Sequence, residues 1–191
     1  LGYTYEEEPV NYGICTAKLT QPCYQKYMVF LHGTTWLTKH WPEQYWIELA
    51  DKLTDSGYKI LLPWGNREEL ERAERIAANK PHVEVLPKVN LATLAGILAH
   101  ASLVYAVDTG LGHMAAALHV PTIALFGATN PKLTGTYGQH QVHLSADFPC
   151  APCFQRTCSH SAYEAGMTPC YQTLKPDVAF IRGKLILDEL K

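Results

Sequence analysis

The chain has 191 residues, of which 47% are hydrophobic and 18% are charged; this composition excludes disordered, collagen-like and coiled-coil proteins and suffices for one compact core. It contains 16 Lys and Arg residues against 18 Asp and Glu residues, and because no stretch gathers the basic residues, we expect a small-molecule ligand and not a nucleic acid. The longest apolar stretch, 94–107, is broken by polar residues and is shorter than the roughly 20 residues of a membrane-spanning helix, so no membrane span is expected.

The amino-terminal part, residues 1–26, is rich in Tyr, Glu and Pro and has no clear period. This pattern predicts a linker or an edge segment. The chain opens with Leu1 and has no charged-then-apolar leader. We therefore expect residues 1–191 to be part of a longer protein, with a preceding domain missing here.

From Tyr27 onward, short aliphatic runs alternate with patterns of helical spacing. Strands are predicted at Met28–Leu31, Lys59–Leu62, Val83–Leu86, Leu103–Val107 and Thr122–Phe126. Helices are predicted from Pro42 up to the stop signal Gly57, and at Arg67–Ala78, Leu91–Ala101 and Gly112–Leu118. Such alternation is typical of βαβ units, so the predicted fold class is α/β, with a Rossmann-like parallel sheet and helices on both faces of the sheet. This domain is expected to span residues 27–191.

The stretch from Gly127 to Pro176 shows no regular pattern. Because it is long for a structureless connection, we expect a functional or stapled loop, with its cysteines at about 145–175. After Pro176 an amphipathic helix is predicted, because four apolar residues lie near one face: Val178, Ile181, Leu185 and Leu190.

Four cysteines in this loop have the spacing Cys150-x2-Cys153-x4-Cys158-x11-Cys170, and His160 lies among them. The first spacing is that of a structural zinc site. Two disulfides and unligated thiols are the alternatives, and the spacing alone leaves all three open.

The loop after the first predicted strand, residues 32–42, contains Thr34, Thr35 and Lys39 and leads into a helix. Because ligands bind at the carboxyl ends of the strands in an open α/β sheet, this loop is a candidate site. Two hydroxyls and a lysine next to helix amides are suited to hold phosphate oxygens. The alternative is helix capping with an exposed, solvated lysine.

The loop after the Leu103–Val107 run contains Asp108, Thr109, Gly110 and His113 and opens a helix of small residues. Its glycines allow a ligand to approach the backbone, the helix N-terminus favours an anion, and the histidine adds a donor. The alternative is an Asp or Thr N-cap with glycines for the turn. Because a carboxylate repels a diphosphate, Asp108 is expected to order its loop through backbone amides or to meet a sugar hydroxyl.

A third loop follows the second predicted strand and contains Trp64, Glu68 and Glu69. A carboxylate here is suited to accept hydrogen bonds from ribose hydroxyls, and Trp64 is suited to form a wall of the site. The alternative is that both glutamates are ordinary acids in the first turn of a helix.

These loops together resemble the carboxyl-terminal half of the bacterial lipopolysaccharide heptosyltransferases, most closely type I. The resemblance covers residues 27–138. The motifs that carry it are His32-Gly-Thr-Thr-x3-Lys39-His-Trp-Pro42, Leu62-Pro-Trp-Gly65, Leu86-Pro-Lys88, Val107-Asp-Thr-Gly-Leu-Gly-His113 and Pro121-Thr-x3-Phe126-Gly-x-Thr-x-Pro131.

The resemblance implies a GT-B glycosyltransferase whose second Rossmann-like domain binds ADP-heptose. It assigns Glu69 to the ribose and places Lys88 and Val89 beside the adenine, where Val89 replaces an expected Met. The residues that match contacts around the donor and its diphosphate are Thr34, Thr35, Lys39, Asp108, Thr109, Gly110 and His113.

The reaction implied by the resemblance is inverting: an acceptor hydroxyl, deprotonated by a carboxylate, attacks the anomeric carbon while ADP leaves. Lys39, His113 and helix amides would stabilise the leaving diphosphate, so no cofactor is expected. The base and the lipid A-Kdo acceptor site belong to the amino-terminal half, so this fragment alone is expected to be inactive. The implied location is cytoplasmic, at the inner face of the bacterial inner membrane. The alternative function is a non-catalytic interaction module stapled by the cysteine loop.

Overall fold

The computed structural model of the chain describes residues 12–164 and 166–190. In this part, one parallel sheet is formed by β1 (Tyr27–Leu31), β2 (Lys59–Leu62), β3 (Val83–Val85), β4 (Leu103–Val107), β5 (Thr122–Phe126) and β6 (Gln141–Ser145). The strand order is β3-β2-β1-β4-β5-β6, which confirms the Rossmann-like α/β prediction. The order reverses between β1 and β4, so the crevice that receives ligands in such sheets lies at their carboxyl ends.

The helices between and after the strands are α1 (Glu43–Asp55), α2 (Arg67–Ala77), α3 (Leu91–Ala99), α4 (Gly110–Ala117), α5 (Pro131–Thr134) and α6 (Pro176–Glu189). Asparagine side chains cap α2, α3 and α5 through Asn66, Asn90 and Asn130. After α1 the chain turns at Gly57, whose φ of 81° favours glycine. Single turns of 3₁₀ helix lie at Thr16–Lys18, Leu37–Lys39 and Pro169–Thr173.

The central strands are buried on both faces of the sheet, so their apolar runs are continuous. On one face, Met28 and Phe30 pack with α1, α2 and α6 through Trp46, Ile76 and Ile186. On the other face, Val29 and Leu31 pack with α3 and α4 through Leu94, Leu98 and Ala115. The prediction of helices on both faces is confirmed.

The expectation that Gly127–Pro176 is irregular is wrong at α5 and β6. β6 alternates polar and apolar residues over only five positions and is half-buried at the sheet edge. A run this short and this polar does not stand out from a loop in the sequence. β6 nevertheless pairs with β5 along its whole length, from Thr122↔Gln141 to Phe126↔Ser145.

α6 forms as predicted, but its apolar stripe points away from the sheet. The four residues of that stripe are exposed: Val178, Ile181, Leu185 and Leu190. The buried face instead carries small side chains such as Ala179 and Gly183, together with Ile186. A Cβ at Gly183 would overlap the Tyr105 hydroxyl. The helix therefore lies so close to β4 that the buried face has no room for a side chain at residue 183.

Residues 1–11 of the predicted linker lie outside the described residues. Residues 12–26 do not follow a single edge of the sheet: the Tyr24 hydroxyl donates to Glu84 on β3 at 2.5 Å, whereas the Tyr12 hydroxyl donates to the Tyr137 carbonyl, between β5 and β6, at 3.2 Å. The Thr20 carbonyl comes so close to Gly96 that a Cβ there would lie 2.5 Å from its oxygen. The domain boundary at residue 27 stays a prediction.

None of the helices in the described part of the chain has the length and apolar character of a membrane span.

Candidate functional site

A cleft of about 890 Å³ opens at the carboxyl ends of β1 and β4. Four loops contribute to it: the Lys39 loop (residues 32–40) after β1 and the loops after β2, β3 and β4. All eight site residues predicted from the sequence line this cleft: Thr34, Thr35, Lys39, Glu69, Asp108, Thr109, Gly110 and His113. The structure therefore brings together residues from three separate segments at the sheet's point of reversal.

Lys39 is paired with Asp108 inside the cleft. The Lys39 Nζ atom lies 2.8 Å from Asp108 Oδ2, and the two side chains are only 16% and 8% exposed. The same Asp108 oxygen accepts hydrogen bonds from the hydroxyls of Thr129 at 2.7 Å and Thr134 at 3.3 Å. The alternative of an exposed, solvated lysine is thus wrong. Within the described residues, the Asp108 carboxylate is bonded to a lysine and two hydroxyls and to no backbone amide, whereas the expected contact with a sugar hydroxyl stays a prediction.

The Lys39 loop is also joined to the β4 loop and to an aromatic side chain. The Thr34 hydroxyl donates to the Asp108 carbonyl at 3.2 Å. The Lys39 ammonium lies 4.6 Å from the centroid of the Trp36 ring, within cation–π distance. Helix α1 begins after Pro42 and has no side-chain cap, so the hydroxyls of this loop do not serve as caps.

The N-terminus of α4 opens into the cleft. Thr109 occupies the N-cap position, yet its side chain makes no capping hydrogen bond. The first helical N–H groups, beginning at Gly110, therefore lie beside the cleft without a side-chain acceptor. His113, in the first turn, is exposed on the same side. This arrangement suits an anion, because the helix dipole and the N–H groups point toward it.

Glu69 projects from the first turn of α2 toward the Lys39 loop. Its Oε2 atom accepts a hydrogen bond from the Gly65 N–H at 2.7 Å. A Cβ at Gly33 would lie 2.6 Å from Glu69 Oε1, so the carboxylate needs a glycine there. Glu69 is half-buried and lines the cleft, whereas its neighbour Glu68 is exposed and does not. Glu69 is therefore more than an ordinary first-turn acid.

The end of the cleft beyond Glu69 is mainly apolar. Trp64 lines it and is fixed there because its Nε1–H donates to the Leu86 carbonyl at 2.7 Å. The Lys88 ammonium lies 5.7 Å from the centroid of the Trp64 ring. The apolar side chains that complete this end are Val89, Leu91, Leu94 and Met114.

His32 and His40, the first and last residues of the Lys39 loop, were not assigned a role from the sequence. Burial, followed by the nearby Arg72 guanidinium, lowers the pKa of His32 and that of His40 to about 4. Arg72 donates to the His40 ring and, at 3.5 Å, to the His32 carbonyl. Its Nε atom lies 3.6 Å from Glu43 on α1. The two ends of the loop are thus held between α1 and α2 by two histidines that are neutral at pH 7, the Arg72 guanidinium and the Glu43 carboxylate.

The four cysteines of the carboxyl-terminal loop surround one small cavity of about 20 Å³, together with His160. All of them are free thiols in the structure. Within residues 12–164 and 166–190, no three His, Cys, Asp or Glu side chains are arranged to hold a metal ion. The structure therefore brings the predicted cysteine group together as thiols.

The chain is similar to known heptosyltransferases. The model of glycosyltransferase family 9 (heptosyltransferase) matches residues 1–164. Lipopolysaccharide heptosyltransferase 1 of Pseudomonas aeruginosa is 52% identical over 165 residues, which are 86% of this chain and 46% of that protein. The corresponding protein of Escherichia coli K12 is 47% identical over 144 residues, which are 74% of this chain and 45% of that protein.

Solved structures give the same result. E. coli heptosyltransferase WaaC with ADP has a TM-score of 0.71 and 46% identity, over 76% of this chain and 46% of that one. The same enzyme with ADP-2-deoxy-2-fluoro heptose has a TM-score of 0.67 and 44% identity, over 76% and 45%. The chain spans about half the length of the curated relatives it matches. On the extent of the family match, the chain belongs to glycosyltransferase family 9, the heptosyltransferases.

Proposed function

We propose that this chain is the ADP-heptose-binding half of an inverting glycosyltransferase that adds heptose to the lipopolysaccharide inner core. The observation that carries the proposal is the position of Lys39 and the uncapped N-terminus of α4 in one cleft. A lysine and a helix N-terminus together provide the charge and the N–H donors that a diphosphate needs.

The chemistry of the cleft supports one orientation of the donor. The diphosphate lies between the Lys39 loop, which supplies Thr34 and Thr35, and the start of α4. Glu69 accepts hydrogen bonds from the ribose hydroxyls, and the apolar end beside Val89 receives the adenine. The E. coli relative that was solved with ADP and with an ADP-heptose analogue supports this choice of donor.

In the proposed reaction, the oxygen of an acceptor hydroxyl forms a bond to the anomeric carbon of the heptose. The bond between that carbon and the diphosphate oxygen breaks, and its electron pair leaves with ADP. Lys39, His113 and the α4 amides stabilise the negative charge that grows on the diphosphate. A carboxylate outside this chain takes the hydroxyl proton, so the chain alone binds the donor without catalysing the transfer.

The acceptor follows from the same proposal. Lipid A-Kdo binds through the other half of the protein, which places the enzyme on the cytoplasmic side, at the inner face of the bacterial inner membrane. The relatives named as lipopolysaccharide heptosyltransferase 1 support this acceptor class.

Calorimetric titration of the chain with ADP tests the proposal. We expect binding at micromolar to millimolar ADP, with weaker binding of UDP and GDP because the apolar end of the cleft fits the adenine. No heat with ADP or with any other nucleotide would exclude a donor-binding domain. It would favour the alternative, a non-catalytic interaction module.

A further inference from the structure

A tyrosine far along the chain holds the Lys39 loop from inside the protein. Tyr171 lies in the 3₁₀ turn Pro169–Thr173 and is completely buried. Its hydroxyl donates to the Lys39 carbonyl oxygen at 3.1 Å, across 132 residues of sequence. Tyr171 does not line the cleft, so it meets the Lys39 loop only from behind.

The phenol ring of Tyr171 fits against Gly127, at the end of β5. A Cβ at Gly127 would lie 2.7 Å from the Cζ atom of the ring, so this approach requires glycine. Two residues further along, Thr129 donates to Asp108, which binds the Lys39 ammonium. Lys39 is therefore held at both ends, at its ammonium by Asp108 and at its backbone carbonyl by Tyr171.

Two further hydrogen bonds connect Thr38, in the Lys39 loop, and Trp41, just after it, to the carboxyl-terminal segment that contains Tyr171. The Thr38 hydroxyl donates to the Gln155 carbonyl at 2.5 Å, and the Trp41 indole N–H donates to the Leu174 carbonyl at 2.9 Å. Of these three hydrogen bonds, all between described residues, that of Tyr171 is the one made to Lys39 itself, whose ammonium lines the cleft. A lysine side chain has four rotatable bonds, so the position of its backbone decides which ligand atoms its ammonium reaches.

We propose that Tyr171 is a positioning residue for the diphosphate of the donor, acting through the backbone of Lys39. The inference rests on the proposed function, because a diphosphate must be the ligand that Lys39 meets. Tyr171 fixes the Lys39 carbonyl. The ammonium is thereby held in the cleft that the α4 N-terminus also lines, before the ligand binds. The carboxyl-terminal loop that carries the cysteines thus contributes to donor binding without touching the donor.

The test is Tyr171→Phe, which removes one hydroxyl and no ring atoms. We expect its affinity for ADP to fall about three- to tenfold while its affinity for adenosine, which has no phosphate, stays within twofold of the parent value. The matched control is Tyr27→Phe: Tyr27 is also buried, its hydroxyl donates to the Ile97 carbonyl at 2.6 Å, and it lies at the start of β1, away from the cleft. Tyr27→Phe should leave the ratio of ADP affinity to adenosine affinity unchanged.

A second measurement tests the route through Lys39. In a chain that already carries Lys39→Ala, Tyr171→Phe should cause no further loss of ADP affinity. The inference is overturned if Tyr171→Phe binds ADP like the parent, if it weakens ADP and adenosine equally, or if its effect persists in full without Lys39. A parent chain that binds neither ligand would overturn the proposed function as well, so the two failures are distinguishable.

Discussion

The Lys39 ammonium and the Asp108 carboxylate form an ion pair of 2.8 Å in a place where both are largely shielded from water. The carboxylate has two threonine hydroxyls as its other partners, and neither carries a charge. The lysine neutralises Asp108, and in the proposed function it has a second task, which is to offer N–H donors to the diphosphate.

These two tasks separate in a pair of substitutions. Lys39→Met should lower the free energy of unfolding by about 2–4 kcal/mol, because it leaves a shielded carboxylate without its counter-charge. It should also weaken ADP binding by about 10- to 150-fold, the value of a charge-assisted hydrogen bond. Adding Asp108→Asn should restore most of the unfolding free energy and none of the ADP affinity. Denaturant unfolding and calorimetry measure the two quantities, and a double variant as unstable as Lys39→Met would contradict the pair.

The Glu69 carboxylate is expected to select the ribose. If it accepts hydrogen bonds from ribose hydroxyls, Glu69→Gln should remove most of the preference for ADP over 2′,3′-dideoxy-ADP, which the parent should bind about tenfold more weakly. Glu68→Gln is the control, because Glu68 is exposed on the same helical turn. Gly33→Ala should act like Glu69→Gln, since a Cβ at residue 33 displaces the carboxylate. Equal binding of the two nucleotides by the parent chain would show that Glu69 does not meet the ribose.

The two histidines at the ends of the Lys39 loop, His32 and His40, predict a dependence of stability on pH. Burial holds their pKa at about 4 in the folded chain, against an ordinary value of 6.5. Between these values the unfolded chain binds protons that the folded chain does not, so stability is complete above pH 6.5 and is lost as the pH falls toward 4. The slope should reach about 1.4 kcal/mol per pH unit for each histidine.

Two histidine variants identify the source of that slope. The charged groups beside the rings are Arg72 and Glu43. His40→Gln should flatten the slope, because glutamine does not titrate, whereas His100→Gln, at the end of α3, should leave it unchanged. Melting temperatures between pH 4 and pH 7 measure the effect, and an unaltered slope in His40→Gln would assign it to other groups.

The carboxyl-terminal thiols are expected to differ in reactivity. Cys170 is buried, and burial raises its pKa to about 11, whereas Cys150 is exposed. We expect alkylation of Cys170 in the native chain to be much slower than that of Cys150, because burial shields the Cys170 sulfur from the reagent and disfavours its thiolate. Timed alkylation followed by mass spectrometry gives both rates. If all four cysteines resist alkylation until a chelator is added, they bind a metal. If they resist it until a reductant is added, they form disulfides.

The parts of the fold that follow from local pattern were predictable. The buried runs that became β1, β2, β4 and β5 are continuous and apolar, and the parallel sheet places the loops after them at one edge. That rule alone was enough to select the Lys39 loop and the β4 loop as candidate sites.

The contacts that complete the site depend on pairs of residues far apart in sequence, and no periodicity encodes them. The sequence around Tyr171 has no pattern that predicts its hydrogen bond to Lys39. Likewise, Thr134 contacts Asp108 because α5 folds back toward the cleft. α6 shows the complementary limit: its pattern predicted the helix, yet the larger apolar residues, such as Ile181, lie outside, and Gly183 lies inside. The hydrophobic pattern predicts that a helix forms, whereas close packing against the sheet decides which face of that helix is buried.

The Lys39 loop and the β4 loop lie far apart along the chain, since Thr34 and the Asp108 carbonyl that it contacts are 74 residues apart. They meet because β1 pairs with β4, a contact that closes a longer loop than the pairing of β1 with β2, so we expect it to form later in folding. A chain without the β1–β4 pairing would lack the contact between these two loops. A nucleotide bound as proposed would therefore recognise only molecules that have completed the central pairing, so we expect its main kinetic effect to be slower unfolding and not faster folding.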